Sequence, residues 1–142
     1  MQITFQRLDK ELPIPQRAHE DDAAIDLYAR VGVTIEPGQR FSMPTGIVVE
    51  IPLGHGGLVL PRSGLAVRSG VGVVNGPGLI DPGYRGEVAV ILINHGEEPV
   101  ELSRGDRIAQ LAVVPLPSVQ WVEVDEVSDT VRGEAGFGSS GA

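Results

Sequence analysis

The runs Ile47-Val48-Val49-Glu50-Ile51 and Gly57-Leu58-Val59-Leu60, parted by Pro and Gly, decide how this chain is read. Each is short and apolar, and each is bounded by residues that interrupt helices. The pattern recurs on both sides. Upstream lies Val31-Gly32-Val33-Thr34-Ile35. Downstream lie Val71-Gly72-Val73-Val74, Val88-Ala89-Val90-Ile91-Leu92-Ile93, Ile108 to Val114, and Gln120-Trp121-Val122-Glu123-Val124. Gly (19) and Pro (11) are scattered through the 142 residues and leave no room for a long helix. Many short strands with turn signals predict an all-β sandwich, barrel or jelly roll. Glu36-Pro37-Gly38-Gln39, Asn75-Gly76 and Asn94-His95-Gly96 read as turns, because Gly and Asn tolerate positive φ. One short helix fits, around Ser63 to Arg68.

Composition narrows the function. Hydrophobic residues make up 42% and charged residues 21%, which is enough apolar matter for one core and argues against disorder. The length suits one domain. No Cys is present, which removes disulfide, thiolate-metal and Cys-nucleophile chemistry. No apolar run reaches the roughly 20 residues of a membrane span. Met1 to Arg7 shows no signal-peptide pattern, so the expected location is cytoplasmic. A formal net charge of −8 argues against nucleic-acid binding, which needs a basic surface. Every basic residue except Lys10 is Arg, and guanidinium forks suit phosphate clamping.

The expected division is a β-barrel domain over 1–124 and a C-terminal arm over 125–142. The arm loses the strand pattern and ends in Arg132-Gly133-Glu134-Ala135-Gly136-Phe137-Gly138-Ser139-Ser140-Gly141. Extended, it spans on the order of 60 Å and would reach a neighbouring subunit.

P-loop, nucleophile-elbow and His-Glu-x-x-His patterns are absent. His19, His55 and His95 are scattered among loop residues, which disfavours a zinc site. Pro61-Arg62-Ser63-Gly64-Leu65-Ala66 follows an apolar strand and turns into the helix. It offers a cation, a hydroxyl and free backbone N–H groups together, a sensible phosphate cradle that is also ordinary loop chemistry. Asn75 to Glu87 brackets Leu79-Ile80-Asp81 between two turn clusters. The expected shape is a tight hairpin whose backbone reads a planar base, with Asp81 as a general base or an Asx-turn former and Tyr84 as a flat face. Asp26 sits in an otherwise apolar strand and needs a partner, either an Arg or a hydrated cation. Asp106 and Arg107 read as a structural pair, and Gln110 as a ligand contact or an edge residue. In the tail, Arg132 would bind phosphate and Phe137 would stack on a base.

In this order, these segments resemble the five signature motifs of the trimeric dUTPase family, the dUTP diphosphatases. The motifs are Ala24 to Tyr28, Pro61 to Ala66, Asn75 to Gly86, Gly105 to Leu111, and Arg132 to Gly141. The resemblance covers nearly the whole chain. Ala24, Pro82-Gly83 and Ala135 depart from the usual pattern without removing a group that has a chemical role. The resemblance implies a jelly-roll-like distorted β-barrel with a flexible arm, assembled as a homotrimer with active sites between subunits. It implies hydrolysis of dUTP to dUMP and pyrophosphate with Mg²⁺, which limits uracil in DNA and supplies dUMP for dTMP synthesis.

By the same resemblance, Asp81 positions the water that attacks the α-phosphorus and holds the sugar 3′-hydroxyl. Tyr84 packs on the deoxyribose and leaves no room for a 2′-hydroxyl. Asn75, Gly78, Leu79 and Ile80 read uracil. Arg62, Ser63, Gly64 and Gln110 contact the phosphates. Asp26 holds water near the metal. Arg132, Phe137, Gly138 and Ser139 close the lid. Two other readings compete. A dCTP deaminase of the same fold would need an acid/base group, for which Glu87 is the nearby carboxylate. A catalytically retired binding module would be signalled by loss of Asp81 or of the tail, and both are present.

Overall fold

Alternation of inward and outward residues builds the fold, as a half-buried pleated strand requires. The computed structural model describes residues 1–134. Eleven strands and one helix lie within them. One four-stranded sheet runs β2 (Ile25–Tyr28), β11 (Arg107–Pro115), β6 (His55–Pro61), β8 (Gly78–Ile80). A three-stranded sheet runs β4 (Arg40–Pro44), β9 (Ala89–Asn94), β7 (Val71–Val73). Two ribbons pair β1 (Thr4–Arg7) with β5 (Ile47–Glu50), and β10 (Val100–Leu102) with β3 (Val33–Ile35). Every pairing is antiparallel.

One core gathers residues from all four sheets: Leu27 and Leu111, Val90 and Leu92, Val49, Ile35 and Leu102. In β9 the alternation is clean, with Val90, Leu92 and Asn94 inward. The all-β reading and the jelly-roll-like architecture hold, although the sheets do not close into a complete barrel. No helix among the described residues is long and apolar enough to cross a membrane.

The helix α1 (Ser63–Ser69) forms where the sequence predicts it, and Gly70 ends it at φ 66°. Glycine is required there twice over. The left-handed φ disfavours a side chain, and a Cβ would meet Gly96 Cα at 2.9 Å. Gly38 takes positive φ (75°) as its turn sequence predicts, whereas Gly76 and Gly96 do not. At Gly96 the constraint is space, because a Cβ would stand 2.9 Å from Ser69 O.

Two expected elements differ. Asn75 to Glu87 is not a hairpin: β7 pairs with β9 while β8 pairs with β6, so the intervening turn crosses between sheets. Gln120 to Val124 forms no strand, and Trp121 is 92% exposed. The last backbone tie of that region to the body is Leu116 N–H to Gly54 O at 2.8 Å. Beyond it no strand among the described residues pairs with this segment, and a pattern without a partner does not make a strand.

Ion pairs join the loops at one end. Arg104 donates to both Asp9 oxygens (2.7 and 2.9 Å) and to Arg30 O at 2.7 Å. Arg30 meets both Glu87 oxygens at 3.1 Å. The Arg104 hydrogen bonds hold the Asp9 carboxyl down at about 2, below its ordinary 3.8. A depressed folded value stabilises the fold above the unfolded value and loses that contribution as pH falls through the folded one. Stability is therefore expected to fall between about pH 4 and pH 2. An Arg104→Ala chain should show a flatter decline over that window. Urea midpoints at pH 5 and pH 2.5 measure both slopes.

Candidate active site

The register of β11 assembles the first half of the site. Gln110 lies opposite Asp26 of β2 on one side and Leu60 of β6 on the other. Directly opposed residues share a face, so the first and fourth sequence segments meet beside the end of β6. There the chain passes through Pro61 into Arg62, the N-cap of α1. Asp26, Leu60, Arg62, Ser63, Gly64, Arg107, Gln110 and Ala112 line one cavity of about 490 Å³, lined on another side by Ala18, His19, Asp22, Ala23 and Ala24.

Asp26 has found its partners. Its Oδ1 lies 3.1 Å from Arg62 Nε and its Oδ2 lies 3.3 Å from Arg107 Nη1. Two guanidiniums thus share one carboxylate, and N–H donors that it does not use can also meet an anion. Arg62 also donates to Arg107 O at 3.2 Å, and Gln110 Nε2 donates to Pro61 O at 3.0 Å. The first turn of α1 leaves its amides without intrahelical acceptors, beside the Arg62 guanidinium.

The expected Asp106–Arg107 pair is not made. Asp106 instead accepts the Ser103 N–H at 2.8 Å, closing its own turn. The pairing of β11 with β2 shifts register between Arg107 and Ala109, as at a β-bulge. Bulges re-aim side chains: Ile108 and Ala109 are both buried, and Arg107 reaches the cavity with Gln110.

Sequence reasoning missed two charged residues of the lining, Arg107 and Asp22. Asp22 accepts the His19 N–H at 2.8 Å, which holds its carboxyl below the ordinary range. Arg68 stands beside the cavity lining rather than in it, its Nη1 3.1 Å from where a Gly64 Cβ would stand, as the i, i+4 spacing allows.

The remaining residues form a second group, none of which lines that cavity. Gly78, Leu79 and Ile80 make β8, an edge of the four-stranded sheet. An edge strand keeps a row of backbone donors and acceptors unpaired. Asn75 curls over this strand, its Nδ2 3.3 Å from a Gly78 Cβ position. Asp81 follows β8 directly and is exposed; among the described residues its carboxylate has no hydrogen bond or ion pair. Tyr84 is 45% exposed, and its hydroxyl donates to Glu87 O at 2.9 Å. Arg132 lies in an exposed stretch without helix or strand. Phe137, Gly138 and Ser139 lie outside the described residues.

Comparison with known proteins agrees on one family. A family model described as dUTPase matches residues 10–141. A deoxyuridine 5′-triphosphate nucleotidohydrolase of Corynebacterium glutamicum is 54% identical over 140 residues, covering 98% of this chain and 94% of its own. One from Gloeobacter violaceus is 52% identical over 143 residues, covering 99% and 97%. Among solved structures, Staphylococcus bacteriophage 80alpha dUTPase with dUPNHPP is similar at a TM-score of 0.91. It is 29% identical, with 99% of each chain covered.

Proposed function

The chain belongs to the dUTPase family, and on that premise we propose how its residues divide the work of hydrolysing dUTP. Its activity is dUTP hydrolysis, the activity of its named relatives. The observation that carries the division of labour is the separation of two half-sites. One is a cavity of cations and donors around Asp26, Arg62 and Gln110; the other is an edge strand leading into Asp81.

The cavity takes the triphosphate. Arg62, Ser63, Gly64 and Gln110 contact its oxygens, and Arg107 adds charge. Departure of pyrophosphate builds negative charge, which oriented cations and donors stabilise. The edge of β8 takes the uracil through the backbone of Gly78, Leu79 and Ile80, with Asn75 beside it. Tyr84 covers the deoxyribose. Asp81 orients the attacking water, accepts its proton, and accepts a hydrogen bond from the 3′-hydroxyl. The arm from residue 125 closes over the nucleotide, with Arg132 and Ser139 on the phosphates and Phe137 and Gly138 on the base. Closure excludes water from all but the reacting position.

The donor set suits a metal that arrives with the nucleotide. No group of three His, Cys, Asp or Glu able to hold a metal occurs among the described residues, and the Asp26 carboxylate is already shared by two guanidiniums. Mg²⁺ commonly binds through substrate phosphates and retains waters. Bound that way it would neutralise phosphate oxygens, with Asp26 holding one of its waters.

A deaminase reading finds no support in Glu87. Both its oxygens lie 3.1 Å from Arg30, and Oε1 also accepts the Gly46 N–H at 2.7 Å. That carboxylate is fastened into the fold.

Two half-sites on one chain call for a second copy, and we assign a homotrimer in which each site joins the cavity of one subunit to the β8 edge of its neighbour. Co-expression of Asp81→Asn and Arg62→Ala chains tests this. Each variant alone should be nearly inactive. A random mixture should regain about a quarter of wild-type pyrophosphate release, because a site needs Asp81 from one chain and Arg62 from the next. No recovery in the mixture would mean that each site is built within one chain.

A further inference from the structure

The turn from Asp81 to Glu87 carries two residues assigned to the nucleotide, yet its shape is held by others. The Arg85 guanidinium donates to Pro82 O at 2.6 Å and to Tyr84 O at 2.9 Å. It also pairs with Glu50 Oε1, at the end of β5, at 3.0 Å. One side chain thus ties the turn to itself and to a strand of the body. Tyr84 is fixed at both ends: its N–H donates to Asp81 O at 3.1 Å, and its hydroxyl donates to Glu87 O at 2.9 Å. Between these points the ring lies against Gly86. A Cβ at that position would overlap Tyr84 Oη and Cζ and come within 2.9 Å of Cε2. The ring takes this pose only because residue 86 has no side chain.

We propose that Glu50, Arg85 and Gly86 are positioning residues that fix Tyr84 and Asp81 before nucleotide arrives, so that rejection of a ribose depends on residues that need not touch it. The inference rests on the assignment of Tyr84 to the sugar. Steric rejection of one hydroxyl needs a wall that does not yield. An aromatic ring free to swing would admit the 2′-oxygen, whereas one fastened at its hydroxyl, its backbone and its face would not. The Glu50–Arg85 pair is about half exposed on each side, and such pairs add little to stability. Its contribution therefore lies in the pose of the turn rather than in the survival of the fold.

The test measures kcat and KM for dUTP and UTP, with melting temperatures, in Glu50→Ala, Glu50→Gln, Gly86→Ala and Tyr84→Ala. Glu50→Ala and Gly86→Ala should each lower the preference for dUTP over UTP about tenfold. In Glu50→Ala the kcat for dUTP should also fall severalfold, with KM and melting temperature little changed. Glu50→Gln should keep the wild-type preference, because its amide oxygen still accepts from Arg85. The chain has two tyrosines, Tyr28 and Tyr84, so ring NMR signals of the nucleotide-free protein report the pose directly. Those of Tyr84 should move in both variants that lose preference. If Tyr84→Ala loses the preference while Glu50→Ala and Gly86→Ala keep it, the positioning role is overturned. If Tyr84→Ala itself keeps the preference, the sugar assignment falls and takes this inference with it. Should Gly86→Ala fail to fold, the two Glu50 variants and the ring signals decide.

Discussion

Asp81→Asn is expected to slow dUTP turnover by about a thousandfold or more while nucleotide binding changes only a few-fold. The substitution keeps the shape of the side chain and an oxygen able to accept from the sugar 3′-hydroxyl. It removes the negative charge that, in the proposed role, holds the attacking water and takes its proton. The fold should not notice. Asp81 is exposed, and among the described residues its carboxylate makes no hydrogen bond or ion pair. The turn is closed by its backbone carbonyl, which accepts the Tyr84 N–H at 3.1 Å. The proposed phosphate contacts lie elsewhere, on Arg62, Ser63, Gly64 and Gln110, which line a cavity that Asp81 does not, so on that reading the ground-state complex keeps its anchors. Pyrophosphate release and equilibrium titration with dUTP separate the two quantities. Parallel loss of affinity and rate would make Asp81 a binding residue and move the water-positioning role to another group.

The strands were legible because short apolar runs set between Gly and Pro are too short for helices, and six of the seven runs became strands. The exception, Gln120 to Val124, has a strand pattern but pairs with no strand among the described residues. Pattern describes what a segment offers, and pairing depends on what the fold sets beside it. The hairpin expected over Asn75 to Glu87 failed for a related reason. Turn chemistry at Asn75-Gly76 does not reveal that β7 and β8 enter different sheets. At the candidate site, the passage from a strand into a short helix at Arg62, Ser63 and Gly64 was readable in the sequence, and these residues do line one cavity. The need of Asp26 for a cation was readable from its apolar strand. That the cation is both Arg62 and Arg107 was not, because the bulge that aims Arg107 has no local sequence mark. The Asp9–Arg104 bond joins residues far apart in the chain, and neither segment predicts it. The split of the site into two groups depends on sheet order, which a linear reading does not contain.

Asn94→Ala is expected to destabilise the fold by about 3 kcal/mol or more, the largest stability effect of any single polar truncation in the core. In the sequence, Asn94 reads as a turn former. In the structure it is fully buried at the end of β9. Its Nδ2 donates to Ile35 O at 2.9 Å and to Glu98 O at 2.8 Å, and its Oδ1 accepts the Gly96 N–H at 2.8 Å. One side chain therefore satisfies three backbone groups: one from β3 and two, at Gly96 and Glu98, from the loop after β9, where Gly96 packs against Gly70, the residue that caps α1. Each group left unpaired in the interior costs about 1–3 kcal/mol. Alanine withdraws all three partners and leaves a void, since the backbone around it is held by Gly38 N–H to Asn94 O (2.8 Å) and Asn94 N–H to Gln39 O (3.1 Å). Asn94→Asp should be no milder, because it keeps one acceptor, loses both donors and buries a charge. Urea midpoints at fixed protein concentration measure the loss, with concentration fixed because assembly adds to apparent stability. A loss below about 1 kcal/mol would mean that water replaces the amide. The end of β9 would then be open to solvent, and the turn at Gly96 would hold the Gly70 cap of α1 less firmly than this network implies.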